Sequence, residues 1–240
     1  MYSPVADKIV ESTHQSSRLG NPIERIVMHT MEAPEEADTA EDVARYFIEN
    51  SRKVSAHYCV DNDSVVGCVP EERVANHAAG DNLQSIGIEL AGRASQTREQ
   101  WADAYSRAEL LSAAKLCANI GKRRGIPARF LSDAELSNRV KGFVSHDAVS
   151  RVFGDNIRDD PGAHFPWNKF LGDVKALMDG RKWEVRLYDK DNKVLDRSKI
   201  VGTAGIAARY VAFSTRVAPK VAKLAATGRQ PRIRVVRVAE

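Results

Sequence analysis

The residue pattern changes at Gly180, and that break steers the chain toward a large acidic unit followed by a small basic one. Residues 1–180 carry 21 Lys and Arg against 27 Asp and Glu, a net charge of −6; residues 181–240 carry 15 against 5, a net of +10. The formal total of +4 hides this division. Such asymmetry points to a body with an appendage that meets an anionic partner. A chain of 240 residues has room for one large domain and one small one. With 43% hydrophobic and 28% charged residues it has a globular composition, which excludes a disordered or fibrous chain.

Strand-like and helix-like patterns alternate in the acidic part. Ile23 to His29 (I-E-R-I-V-M-H) reads as a buried strand that ends on a histidine. Residues 39–50 read as a helix, with Thr39 as N-cap and Val43, Phe47 and Ile48 at helical spacing. Ser55 to Asp61 and Val65 to Val69 flank Asn62-Asp63-Ser64 as a hairpin. Ile86 to Leu90 is a short strand. Residues 98–123 form the longest helical pattern, with Gly125 as its expected C-cap and Pro127 beyond. Helices are also predicted over 133–138 and 168–179. Between them runs Gly142 to Trp167, which includes an apolar turn at Gly142-Phe143-Val144.

After Gly180, Trp183, Val185 and Leu187 alternate with charged residues as in a half-buried strand. Lys190 to Lys193 reads as a turn, and Val194 to Ser198 as a returning strand. Ile206, Tyr210, Phe213, Val217, Val221 and Leu224 keep the rhythm of one helical stripe, which Pro219 kinks or splits. Arg232 to Val238 alternates basic and apolar residues, as a last strand does. The predicted tail, 181–240, is a small α+β unit of order ββαβ.

Cys59, Cys68 and Cys117 show no CxxC spacing, so neither a thiolate zinc site nor a redox pair is indicated. Cys59 and Cys68 either face each other across the hairpin or stay as separate reduced thiols, and the cysteine usage fits a reducing compartment. Met1 to Pro22 lacks an apolar stretch of signal-peptide length. No window reaches the roughly 20 apolar residues of a membrane span. The expectation is synthesis in a cytoplasm without a signal peptide and without membrane insertion.

Six histidines are present: His14, His29, His57, His77, His146 and His164. His29 ends an apolar strand, the place where sites form in open α/β sheets. His146 follows the apolar turn, and Asp160 lies in the rigid turn D-D-P-G. Two imidazoles and a carboxylate with a fourth position open make a catalytic zinc arrangement rather than a closed structural one. Spacing alone does not establish it, because no HExxH motif is present. Glu89, among Ile86, Ile88 and Leu90, either points outward from its strand or is held at a site as a general base.

The ordered set I-V-M-H-T, S-A-H-Y, N-H-A-A-G, S-I-G-I-E-L-A-G, G-F-V-S-H-D-A-V-S-R and D-D-P-G-A-H-F-P-W resembles the zinc-dependent N-acetylmuramoyl-L-alanine amidases, a family that includes phage endolysins, muropeptide-recycling amidases and peptidoglycan-recognition proteins. The likeness runs from about residue 20 to 178 and is nearest to phage or prophage enzymes of actinobacterial hosts. It implies an α/β fold with a mixed, mostly parallel central sheet flanked by helices, and one Zn²⁺ per chain. It implies His29, His146 and Asp160 as metal ligands and Glu89 as general base. Some relatives use a tyrosine just before the S-A-H-Y histidine; here that position is Ala56. Arg158 stands where relatives carry a lysine or histidine that stabilises the oxyanion, and arginine keeps that charge without acting as an acid. His77 matches a histidine of the substrate groove; His57 is a packed or groove-lining residue, and His164 is expected to be exposed.

The implied reaction is cleavage of the amide between the lactyl group of N-acetylmuramic acid and L-alanine of the stem peptide, by zinc-activated water. The partner is peptidoglycan, reached after holin-type release. The tail, which the likeness does not cover, is by its charge either a domain drawn to anionic wall polymers or a structural or dimerisation element. Rival readings are a recognition protein that binds without cutting and a cytoplasmic recycling amidase. Nucleic acid is not an expected partner, because stacking aromatics are few in the tail.

Overall fold

The computed structural model describes residues 1–154, 158–180, 182–188, 193–201, 214, 216–222 and 231–237. The chain divides into two compact units, Met1–Leu171 and Gly172–Glu240, so the division falls inside the last helix before Gly180.

The first unit opens with β1 (Lys8–Ile9), β2 (Gln15–Ser17) and β3 (Arg25–Thr30). Then come α1 (Thr39–Glu49), β4 (Tyr58–Val60), β5 (Val65–Gly67), β6 (Arg73–Ala75) and β7 (Ser85–Leu90). Next are α2 (Ala104–Arg124), α3 (Asp133–Ser137), β8 (Gly142–Ser145) and α4 (His146–Phe153), and α5 (Trp167–Met178) leads out of the unit. Six strands form the central sheet in the order β1-β5-β4-β7-β3-β8. Its β4–β5 pair is antiparallel and the other four pairings are parallel. The architecture is α/β with a mixed, mostly parallel sheet, as expected.

All six residues of β3 are buried, which explains why its sequence runs apolar instead of alternating. The exception, Arg25, is wholly buried at the base of β3, where Asp81 accepts from its Nε at 2.8 Å and its Nη2 at 2.6 Å. Register places His29 beside Glu89, and Glu89 beside Cys59. On this face α1 packs Ala40, Ala44 and Phe47 against Cys59 and Val66, while α4 sets Ala148 and Val149 among Val27 and Val144. Side chains alternate along a strand, so Tyr58 points the other way. There its hydroxyl donates to Glu71, which Arg123 of α2 also holds, and Phe143 meets Phe170 of α5. Helices therefore cover both faces.

Two differences from the sequence reading bear on the site. The expected apolar turn at 142–144 is strand β8, and His146, which follows it, opens helix α4. Four buried residues are too few to show a period, and they extend the sheet because they pair in register with Arg25–Met28. The long helical pattern also starts later than expected. Gln100–Ala102 is a 3-10 turn, and α2 begins after Asp103, whose side chain accepts from the Ser106 amide. Gly125 caps α2 at φ +64°, as expected. Cys59 and Cys68 face each other with Sγ atoms 3.8 Å apart, as separate buried thiols.

In the second unit, β9 (Lys182–Tyr188), β10 (Val194–Val201) and β11 (Arg232–Arg237) form an antiparallel sheet in the order β10-β9-β11. Residues 216–222 are helical, with Val217 buried. The described residues thus follow the order ββαβ. The expected turn residues 190–192 and the stripe residues Ile206, Tyr210, Phe213 and Leu224 lie outside the described residues. Among the described residues, no helix is long and apolar enough to cross a membrane.

Candidate active site

His29 and Glu89 are each the fifth residue of a six-residue parallel strand, so both emerge at the carboxyl end of the sheet. His146 is fixed by the start of α4, where the Ser145 hydroxyl accepts from the Ala148 amide at 3.0 Å. Asp160 is tied to the same helix, since the Asp147 amide donates to its carbonyl at 3.1 Å. The turn that follows demands glycine: Gly162 has φ +93°, and a Cβ there would lie 1.9 Å from the carbonyl oxygen of Ala94.

These supports bring three ligand atoms together. His29 Nδ1 lies 3.0 Å from His146 Nδ1 and 3.1 Å from Asp160 Oδ2, and His146 Nδ1 lies 3.2 Å from the same oxygen. The three form a group that could hold a metal ion. Tetrahedral ligands about 2.0–2.1 Å from zinc stand about 3.3 Å from one another. The triangle is therefore the size of one face of such a site. Two imidazole nitrogens and a carboxylate also match the donor chemistry of zinc.

Electrostatics favour the protonation states a metal requires. Burial, with the charge of His146, pushes His29 down to about 4. Burial opposes the charge of Asp160, but its close contacts with the His146 and His29 imidazoles outweigh it and hold the carboxyl well below the usual range. A neutral imidazole beside an ionised carboxylate is ready to bind a cation. Glu89 is pushed up by burial and by the charge of Asp160, and Arg158 pulls against both.

A cleft of about 450 Å³ opens over this group, lined by Glu89, His77 and Arg158 together with His29, His146 and Asp160. Arg158 is exposed at its side. His77 is half-buried, with Nδ1 3.0 Å from His29 Nε2. His57 does not line the cleft. It is wholly buried; its Nδ1 accepts from the Gly87 amide at 3.0 Å and its Nε2 lies 3.1 Å from the Arg73 carbonyl. It precedes β4 instead of lying within a strand. His164 is exposed, as expected. Ala56, at the position of the alternative tyrosine, is buried beneath α1. The structure adds Tyr46, Arg52 and Asn76 to the cleft walls. They come from α1 and from polar loops, where no spacing marked them.

A family model described as N-acetylmuramoyl-L-alanine amidase matches residues 19–163. The chain belongs to this amidase family. N-acetylmuramoyl-L-alanine amidase A of Achromobacter lyticus is 31% identical over 173 residues, covering 66% of this chain and 87% of that protein. The fold is similar to the crystal structure of Staphylococcus aureus hydrolase AmiA in complex with its ligand, with a TM-score of 0.54 at 18% identity over 73% of this chain and 86% of that one. It is also similar to a selenomethionine derivative of AmpD, with a TM-score of 0.50 at 21% identity over 70% of this chain and 93% of that one. The amidase is a hydrolase of peptidoglycan, and the match stops short of the basic tail.

Proposed function

We propose that this amidase cuts the bond between the lactyl group of N-acetylmuramic acid and L-alanine with one zinc ion per chain, held by His29 Nδ1, His146 Nδ1 and Asp160. The observation that carries this reading is the 3.0–3.2 Å triangle of ligand atoms, with Glu89 on the neighbouring strand. When bound, zinc polarises the scissile carbonyl and lowers the pKa of water toward about 7. Glu89 takes the proton of the attacking water and passes it to the leaving amine. Arg158 brings a fixed positive charge to the tetrahedral oxyanion, and removing such a charge is expected to cost about 10²–10³ in rate. His77 and the loop residue Asn76 border the path of the substrate.

The decisive assay is mass spectrometry of digested peptidoglycan. Free stem peptides that begin with L-alanine support the reading, whereas cut glycan strands or cross-bridges overturn it. Glu89→Gln is expected to keep zinc and lose about 10²–10⁴ in turnover; wild-type turnover would remove Glu89 from the base role. A binding protein that does not cut is disfavoured, because Asp160 completes the ligand triangle.

The tail, residues 181–240 with a net charge of +10, acts in this reading as a domain that draws the enzyme to anionic wall polymers. Binding of full-length protein and of residues 1–180 to purified walls, across a salt series, tests it. Equal, salt-insensitive binding by both would refute the electrostatic role. An endolysin's task, with synthesis in a phage-infected cytoplasm and release by a holin, accounts for an enzyme that joins wall cutting to a wall-directed appendage. Lysis by added protein of cells with intact walls, rather than action on soluble fragments alone, separates this task from recycling.

A further inference from the structure

We propose that His77 is a positioning residue: it locks His29 into the tautomer whose Nδ1 presents a lone pair to the metal. This inference rests on the zinc reading above and deepens it.

Four groups in series fix the position of each proton, starting from the far end. A backbone carbonyl only accepts, so the Ser85 hydroxyl, 2.7 Å from the Asp81 carbonyl oxygen, is the donor there. Ser85 Oγ is then left to accept, and His77 Nε2 lies 3.2 Å from it. A neutral imidazole with its proton on Nε2 has a bare Nδ1. That bare nitrogen lies 3.0 Å from His29 Nε2. With a cation taking up the contact between His29 Nδ1 and Asp160, the relay holds the His29 proton on Nε2 and leaves Nδ1 bare. Nδ1 is the atom that faces His146 and Asp160. Every hydrogen bond in the series points away from the ligand triangle and ends on a carbonyl that cannot reverse it.

The relay is also held in place. The His77 amide donates to the Asn82 side chain at 3.1 Å, and its ring rests on the bare Cα of Gly87, where a Cβ would meet Cγ at 2.5 Å. The far end is anchored by the carboxylate of Asp81 on the buried guanidinium of Arg25. Ligand histidines characteristically give their second N–H to a partner of this kind, and loss of the partner costs about 10–100-fold in metal affinity.

The amide oxygen of asparagine falls near the place of imidazole Nδ1, and the amide nitrogen of glutamine near that of Nε2. His77→Asn therefore keeps the acceptor that His29 needs, and His77→Gln keeps the donor to Ser85. Zinc affinity of the full chain is measured by competition with a chromophoric chelator, with urea unfolding of each metal-free protein alongside. His77→Ala and His77→Gln are expected to bind zinc about 10–100-fold more weakly, while His77→Asn recovers most of the affinity. Wild-type affinity in His77→Ala overturns the relay. So does an asparagine variant no better than the glutamine variant, the result that a packing role gives. Where His77→Ala does not fold, the asparagine–glutamine comparison decides. Failure of the zinc reading shows separately: His146→Ala would then bind zinc as the wild type does, and that result overturns both.

Discussion

Gly87→Ala adds one methyl group at the point where the sheet supports the site. The new Cβ would lie 2.5 Å from Cγ, 2.6 Å from Nδ1 and 2.9 Å from Cδ2 of His77. Non-bonded carbons need about 3.5–4.0 Å, so one side must retreat by about 1 Å. The strand β7 is hydrogen-bonded to β4 on one side and β3 on the other, which leaves the imidazole as the group that moves. A retreat of that size stretches the 3.0 Å contact with His29 Nε2 to about 4 Å, beyond hydrogen-bond range. Overpacking of this kind costs about 1–3 kcal/mol of stability, and loss of the partner is expected to cost about 10–100-fold in zinc affinity. Urea unfolding and zinc competition on wild type, Gly87→Ala, His77→Ala and the double variant form a complete cycle. Without the imidazole the methyl has room, so Gly87→Ala should destabilise the His77→Ala background by much less than the wild type. Strict additivity, or a Gly87→Ala protein with wild-type stability and zinc affinity, would refute the contact argument.

Two further predictions concern buried carboxyls remote from the ligand triangle. Glu71 accepts from Tyr58, Arg123 and Arg124; burial opposes its charge, but the two arginines outweigh it and hold its pKa below the ordinary range. Its stabilisation is therefore present above about pH 4.3 and lost as pH falls through the folded value. Glu71→Gln is expected to cost about 1–3 kcal/mol at pH 7, because its arginines are only partly buried, and the gap to wild type should close in acid. A gap that stays constant down to pH 3 contradicts this. Glu109 is wholly buried with both carboxylate oxygens unpartnered among the described residues; burial, with the charge of Glu35, pushes its pKa up. Its sign is opposite: stability is greatest below about pH 4.3 and declines as pH rises toward the folded value. Glu109→Met is expected to be about 1–3 kcal/mol more stable than wild type at pH 8, with a smaller gain at pH 4 by thermal or urea unfolding. A destabilised variant at pH 8 would refute it.

The parts of the fold that repeat a period were legible in the sequence. The spans of α1, α3 and α5 and the Gly125 cap fell within a residue or two of expectation, because helical spacing is local chemistry; the N-cap of α1 did not, since Asp38 holds that place and Thr39 is the first helical residue. β8 and α4 were not legible. Gly142–Ser145 becomes a strand only because Arg25–Met28 lies beside it, and Ser145 becomes an N-cap only once that strand ends. The same distinction governs the site. His29, His146, Asp160 and Glu89 stood out through ordered motifs, and the structure brings them together. The placement of His57 depended on tertiary packing: the amide of Gly87, thirty residues on, fills its Nδ1 and draws it inside. The series His29–His77–Ser85–Asp81 has no sequence period at all, since its members come from β3, a loop, the start of β7 and the turn before it.

The triangle is built from residues of two segments that meet at the β3–β8 pairing. His146 and Asp160 belong to one of them, joined by the Asp147 amide and braced by Gly162 against Ala94. His29 belongs to the other, carried by the sheet and oriented by His77. A metal bound across the triangle needs the folded arrangement of all three residues, so binding should register as folding stability. At a thousand times the dissociation constant the gain is about 4.1 kcal/mol, and it grows with the logarithm of free zinc. Unfolding midpoints measured against buffered zinc should rise along that curve for wild type. For His77→Ala the same curve should shift to about 10–100-fold higher zinc with its slope unchanged, since the relay alters affinity and leaves the number of sites at one. Midpoints that ignore zinc removal would mean that the folded chain binds no zinc, and the triangle would not be a metal site.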